Sequence, residues 1–283
     1  MSIASELEAL ADNLAGAKNA VEAKGGTVGD TGLAGLASEI TTIPTGGTAN
    51  WGTVTYLNSG TPKTVTIQSI DEYVQLGQTN VSKSITIGGD TFTYDTIRAV
   101  ALGSSATFAP DNFLRGFTGG TLQTGDVTLT GTENLLVIEN NFLYQSTAIN
   151  NALDLSNVVE IGSDFMTQCT TFNSNITLSK VIRIGKNFMY TCSAFSKTIT
   201  LPATLSSTDD YMFYCCDNMT SLVCNGPASN SGIKSSNNML ATTNASAPMY
   251  TTGITLTGTE AERWKNRLAD RSSSPYRKLI LGA

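Results

Sequence analysis

Three consecutive segments of 23 residues decide the fold of this chain: NFLYQSTAINNALDLSNVVEIGS (141–163), DFMTQCTTFNSNITLSKVIRIGK (164–186) and NFMYTCSAFSKTITLPATLSSTD (187–209). Each segment begins with Asn or Asp followed by Phe, then a small residue, then two apolar residues spaced by two. Such a pair points both side chains to one face of a short strand. A pattern that recurs every 23 residues over three segments is not expected by chance, so it indicates an internal repeat.

The repeat extends on both sides of these segments. Asp210-Tyr211-Met212 continues the period, an earlier unit with a longer loop starts at Asn112, and a degenerate last unit starts at Asn238. No coil can bury its own aromatic and strand pair, but about six stacked coils bury them in one column, which predicts a solenoid. The residues predicted to form the repeat core are Phe113, Phe142, Phe165, Phe188, Tyr211, Cys169, Cys192 and Cys215.

The five cysteines all lie in the segment from Cys169 to Cys224. A disulfide framework has an even number of cysteines, so this odd number argues against one. Stacked coils about 4.8 Å apart would also accept a disulfide between neighbouring coils. A cysteine metal site is a third interpretation, although the chain has no Cys-x-x-Cys pair. We favour buried, reduced thiols and predict no metal and no cofactor.

Residues 1–49 carry a helical pattern that predicts an oligomerisation and attachment foot followed by a glycine-containing linker. An apolar heptad seam requires a partner helix. A hairpin that packs on its own chain is one alternative, but a helix this short is marginal alone, so we expect self-association, most simply a homotrimer. The seam residues are Ile3, Leu7, Leu10, Leu14, Ala17 and Val21.

Residues 50–107 change to a period of two and predict a small β domain that leads into the solenoid at 108–283. Gly88-Gly89-Asp90 lies where a tight hairpin turn is needed, and residues 71–76 predict one helical turn. Five aromatic residues here would form either a stacking platform for bases or sugars or, as we favour, a core. They are Trp51, Tyr56, Tyr73, Phe92 and Tyr94.

The composition argues against several functions. A net charge of −6 argues against nucleic acid as a partner, and the chain has no histidine, the commonest general base. No apolar run is long enough to cross a membrane, and residues 1–10 lack the pattern of a signal peptide, so we expect synthesis in the cytoplasm. The close carboxylate pairs outside the helices, Asp209-Asp210 and Asp71-Glu72, are sequence neighbours that usually face different ways. We therefore predict that the protein is not an enzyme.

Two resemblances complete the interpretation. Ile161 to Met166 and Ile184 to Met189, each followed by Cys and an Ile-x-Leu strand, resemble the BspA-type leucine-rich repeats of bacterial surface antigens over about 108–256. Residues 259–266 are similar to the short helix after the last strand of such proteins, which is followed by a final strand at 278–281. The stretch from Leu7 to Pro44 is similar to the leader of phage structural and tail-fibre proteins.

Together these resemblances imply a mainly β chain with short helices, in which a helical foot precedes a leucine-rich-repeat solenoid. They imply a phage virion protein made in the host bacterial cytoplasm, namely a tail fibre or receptor-binding protein. Its partners would be itself, another virion protein at the foot, and a host cell-surface glycan or protein. A capsid decoration or head-fibre protein and a bacterial surface adhesin remain as alternatives.

Overall fold

The computed structural model of the chain describes residues 49–117, 126–233 and 254–272. All of them except residue 49 belong to the unit Asn50–Ala283. The predicted foot and its seam residues lie outside the described residues, as do the predicted final strand at 278–281 and the start of the last repeat unit at Asn238.

The β region begins with β1 (Gly52–Asn58), which pairs in antiparallel fashion with β2 (Thr61–Thr66). The helical turn expected next is present as α1 (Ile70–Tyr73), which continues into a 3-10 turn. The Ser69 side chain caps α1 by accepting a hydrogen bond from the backbone N–H of Glu72, as is usual for serine at this position. The turn directs Tyr73 and Leu76 into the core, where both are fully buried.

The expected hairpin consists of β3 (Ser84–Ile87) and β4 (Asp90–Thr93). Gly88 and Gly89 join the strands with φ values of 60° and 80°. Positive φ at both central residues is the requirement of a tight hairpin turn, and glycine meets it without strain.

The β region and the first coil of the solenoid share one sheet. Strand β5 (Ile97–Leu102) pairs antiparallel with β1 and parallel with β7 (Thr128–Thr130). One continuous hydrophobic core extends from Val54 to Trp264. Four of the five aromatic residues of this region are buried in that core and Trp51 packs against it, so they do not form an open stacking platform.

The coils add short strands to parallel sheets, so the mainly β repeat solenoid is confirmed. One of these sheets, the shorter ladder, has strands of two residues, in each of which the second residue is buried. The shorter ladder is β6 (Phe108–Ala109), β8 (Val137–Ile138), β10 (Glu160–Ile161) and β12 (Arg183–Ile184). The strands of three or four residues are divided among three sheets: β7 pairs with β5, β9 (Leu153–Leu155) pairs with β11 (Ile176–Leu178), and β14 (Ser221–Cys224) pairs with both β13 (Ile199–Leu201) and β15 (Thr255–Thr257).

The turn that opens each coil alternates between left-handed and ordinary backbone. In the second segment Asp164, Met166 and Gln168 have φ values of 61°, 53° and 61°. Asp and Asn tolerate this conformation better than most residues, which accounts for their recurrence at the first position. The Met166 N–H donates to the Phe142 carbonyl at 2.7 Å, and this bond to the preceding coil holds the less favourable Met in place.

These turns direct one phenylalanine per coil into a stack along the solenoid. The ring centroids of Phe113 and Phe142 lie 5.6 Å apart, those of Phe142 and Phe165 lie 5.3 Å apart, and those of Phe165 and Phe188 lie 4.8 Å apart. Neighbouring rings are within 8° of parallel and all four are fully buried. Such offset stacks add stabilisation beyond the burial of apolar area.

The assignment of Tyr211 to the repeat core is wrong by one residue, and Cys215 is buried but does not hold the column position predicted for it. The column continues with Met212 in the aromatic position, and Tyr211 is only partly buried. Left-handed backbone at Tyr211, Phe213 and Cys215 corresponds to that at 187, 189 and 191, which is a step of 24 residues. Cys216 therefore takes the place predicted for Cys215.

The cause is one extra residue in the turn after β13. Four positions separate Leu201 from the buried Leu205, whereas three separate Leu178 from Val181. The shift ends before β14, since Leu222 pairs with Ile199 at the regular step of 23. Counted from the turn at Asn141, the turn at Asp164 is the second and the turn at Tyr211 is the fourth. The fourth turn is thus displaced between two strands, β13 and β14, that keep the common register.

The helix predicted at 259–266 is α2 (Ala261–Ser272). It buries Trp264 completely, and the indole Nε1–H donates to the Gly226 carbonyl at 3.0 Å. A buried indole needs this partner because its N–H would otherwise be desolvated without a bond.

Candidate binding surface

A polar groove of about 440 Å³ crosses successive coils of the solenoid beside the shorter ladder. One side carries Glu160 and Arg183 at the first positions of β10 and β12. The lining residues are Asn140, Glu160, Ile161, Gly162, Ser163, Arg183, Ile184, Gly185, Ser207, Thr208, Asp209 and Ser231.

Two glycines line the groove where adjacent coils come closest. A Cβ at Gly162 would lie 2.8 Å from the Glu139 carbonyl carbon, and one at Gly185 would lie 2.7 Å from the Gly162 carbonyl carbon. Both distances are too short for any side chain, so only glycine lets the coils approach here. At these two positions the groove is therefore lined by backbone alone.

The side chains around the groove are hydrogen-bonding groups of several kinds. Arg183 Nη1 lies 3.7 Å from Glu160 Oε1, and the two side chains are 68% and 52% exposed. An exposed ion pair this long contributes little to stability, so both groups remain accessible to a ligand. The Asn140 Oδ1 accepts a bond from the Ser163 N–H at 2.9 Å, which joins two lining residues of neighbouring coils.

Three partly exposed tyrosines form a cluster a few residues after groove residues in the sequence. Tyr190 follows Gly185, and Tyr211 and Tyr214 follow Asp209. The rings of Tyr190 and Tyr214 stack at 4.8 Å between centroids, and Tyr211 meets Tyr214 edge-on at 6.0 Å. Lys186 Nζ lies 5.3 Å from the centre of the Tyr211 ring. Lys186, which contacts this cluster, directly follows the groove residue Gly185 in the sequence.

An exposed apolar stripe precedes the groove residues in each coil. It consists of Leu136, Val159 and Ile182, which recur at 23 residues and are 46%, 37% and 46% exposed. Hydrogen bonds join the stripe residues, because the Val159 N–H donates to the Leu136 carbonyl and the Ile182 N–H donates to the Val159 carbonyl, each at 2.8 Å. The three aliphatic side chains thus form an exposed apolar row, a feature that is typical of interaction sites when it belongs to a larger patch.

The cysteines serve the interior rather than this surface, and all five are free and buried. The thiols of Cys169, Cys192 and Cys216 donate to carbonyls of the preceding coil at 2.9, 3.0 and 2.9 Å. Ser146 holds the same place in its coil and donates to the Leu114 carbonyl. Burial raises the pKa of the Cys169 thiol to about 12, so it is a poor nucleophile.

The described part of the chain offers no group of three or more His, Cys, Asp or Glu residues arranged to hold a metal ion. Within the same part, no helix is long and apolar enough to cross a membrane.

The predicted core residues and the groove residues are two separate sets. Sequence reasoning missed the groove because it considered only carboxylates adjacent in sequence, whereas Glu160 and Asp209 reach the groove from different coils. The signal that was present is the 23-residue spacing of Glu160 and Arg183. Asp209 carried no such signal, because it follows the extra residue.

Comparison with known proteins agrees with this repeat geometry. The family model of the BspA type leucine rich repeat region matches residues 128–252 in 6 copies. No curated protein and no solved structure matches the chain. Residues 128–252 therefore match a BspA-type leucine-rich repeat region in sequence, and the part of them that the structure describes, 128–233, has the parallel strands of such repeats.

Proposed function

We propose that the protein is a structural protein of a phage virion, a tail fibre or receptor-binding protein that presents its solenoid to the host surface. The observation that carries the proposal is the polar groove, together with the tyrosine cluster and the apolar stripe on the same solenoid. These groups are held by packed coils, so a binding surface of this kind is preorganised and loses little conformational entropy on binding.

The low charge of the surface also supports binding rather than catalysis. The groove side chains include two carboxylates and one guanidinium, and Glu160 is already beside Arg183. Side chains that can form hydrogen bonds with hydroxyls and amides are abundant in the groove. In this proposal residues 1–49 attach the protein to another virion protein and hold a homotrimer.

Adsorption to bacterial envelopes tests the proposal. Full-length protein and a version starting at Asn50 are incubated with purified Gram-positive cell walls and Gram-negative outer membranes, and bound protein and released saccharide are measured. We expect adsorption without release, much stronger for the full-length oligomer because linked weak sites gain from effective concentration. Saccharide release would favour an enzyme, and absence of adsorption would favour a capsid decoration protein.

The mass of the two versions tests the foot separately. We expect the full-length chain to be a trimer and the version starting at Asn50 to be a monomer, because the heptad seam lies in the part removed. Equal monomer masses would refute the oligomerisation role of the seam.

A further inference from the structure

The groove extends along the stacking direction of the coils, which restricts the shape of its ligand. Glu160 pairs in parallel with Arg183, and Arg183 forms the next parallel bridge with Ser207, so one side of the groove takes one residue from each coil. Coils stacked through such strand pairs are spaced by about 4.8 Å. One sugar of an extended polysaccharide spans a comparable length, so successive sugars would meet equivalent positions of successive coils.

The side chains of the groove match the chemistry of sugar hydroxyls. A hydroxyl both donates and accepts, and the groove offers acceptors on Glu160 and Asp209, donors on Arg183, and groups of both kinds on Ser163 and Ser207. A polyanionic ligand would meet two carboxylates in the groove on a chain of net charge −6. The charges therefore favour an uncharged ligand.

The tyrosine cluster supplies the apolar component that sugars also require. A pyranose ring has one face of C–H groups, and tyrosine combines a flat apolar ring with a polar tip. Tyr211 reaches the surface only because of the extra residue after β13, which puts Met212 in the buried position instead. The irregular fourth turn thus places an aromatic ring on the surface two residues after the groove residue Asp209.

We infer that the groove and the tyrosine cluster form a binding site for an uncharged, linear polysaccharide that extends along the solenoid. This inference rests on the proposed function, since it names the class of host molecule that the solenoid binds. The ligand is held by hydrogen bonds in the groove and by ring contact at the tyrosines.

The experiment uses the full-length protein on a printed array of charged and uncharged bacterial polysaccharides. We expect binding to at least one uncharged polysaccharide, with an affinity nearly constant between about 50 and about 500 mM salt, because few charges are involved. Binding restricted to charged polysaccharides, a steep salt dependence, or no binding to the array would overturn the inference.

Paired variants locate the site. Arg183→Ala should weaken binding about tenfold or more, since it removes charged donors that reach ligand hydroxyls. Lys197→Ala removes the same charge from an exposed residue outside the groove and should bind as the wild type does. Tyr211→Ala should weaken binding severalfold, whereas Tyr211→Phe should retain most of it. Equal binding by Arg183→Ala and Lys197→Ala, at unchanged thermal midpoints, would refute the assignment of the groove.

Envelope treatment separates this inference from the proposed function. Periodate cleaves the vicinal diols of sugars and should abolish adsorption to envelopes whose polysaccharide carries such diols, whereas protease should leave adsorption intact. Adsorption lost to protease but not to periodate would mean a protein receptor, so the inference would fail while receptor binding stood. A protein that adsorbs to no envelope would contradict both.

Discussion

The second and fourth turns of the solenoid carry nearly the same sequence signature and differ in which residues they bury. In the second turn Phe165 and Cys169 are inside, as the 23-residue period predicts. In the fourth turn the same period leads to Tyr211 and Cys215, but the residues in the column are Met212 and Cys216. A repeat is thus defined by the hydrogen bonds between coils, and one extra turn residue changes the inward-facing set without ending the repeat.

The largest loss of stability is expected in the middle of the phenylalanine stack, where the 23-residue register is regular. Phe165→Ala should lower the free energy of unfolding by about 3 to 5 kcal/mol, because it empties a fully buried aromatic site. Phe165 stacks on both Phe142 and Phe188, at 5.3 and 4.8 Å, so the neighbouring coils should loosen as well. Urea unfolding measures the loss, and an unchanged midpoint would show that the stack does not hold the coils.

Substitution at the buried position that holds Ser or Cys in each coil should cause a smaller loss of stability, which depends on one hydrogen bond. Cys192→Ala removes the thiol that donates to the Met166 carbonyl, at an expected cost of about 1 to 2 kcal/mol. Cys192→Ser should cost less, because Ser146 already makes the equivalent bond in its own coil. Thermal unfolding of the two variants decides this, and equal losses would mean that only the volume of the side chain matters.

The regular turns could be predicted from the sequence, and the fourth could not, for a physical reason. In the regular turns one large aromatic residue stands at each periodic position, namely Phe142, Phe165 and Phe188. In the fourth turn both registers are plausible, since Tyr211 precedes Met212 and Cys215 precedes Cys216. The choice is made by the turn at residues 202–204, whose extra residue has no hydropathy signal.

The groove was less predictable than the core for a related reason. Buried positions recur with apolar side chains that a period reveals, whereas the groove combines different polar residues from several coils. Glu160 and Arg183 keep the period but differ in charge, so they look unrelated in the sequence. Their juxtaposition follows only from the parallel pairing of β10 with β12.

Alkaline pH should destabilise the regular part of the repeat through its buried thiol at Cys169. Burial raises the pKa of Cys169 to about 12 from its ordinary value of 9.0, so the folded state keeps a proton that the unfolded state loses. The stabilisation is complete below about pH 9 and is lost as the pH rises towards about 12. Urea midpoints at about pH 8 and about pH 10.5 should therefore fall less for Cys169→Ser than for the wild type. An identical decrease in both proteins would exclude a contribution from this thiol.

The smallest loss of stability is expected at Tyr211, and it distinguishes the 23-residue register of the fourth turn from the 24-residue register. Tyr211→Ala should cost less than about 1 kcal/mol, because the side chain is partly exposed and its ring contacts include other partly exposed tyrosines and Lys186. Met212→Ala, one residue later, is the matched control and should cost about 2 to 5 kcal/mol, because Met212 is fully buried. Unfolding free energies of the two variants give the answer directly. A large loss at Tyr211 with a small one at Met212 would restore the 23-residue register, and it would also remove the surface tyrosine on which the polysaccharide site depends.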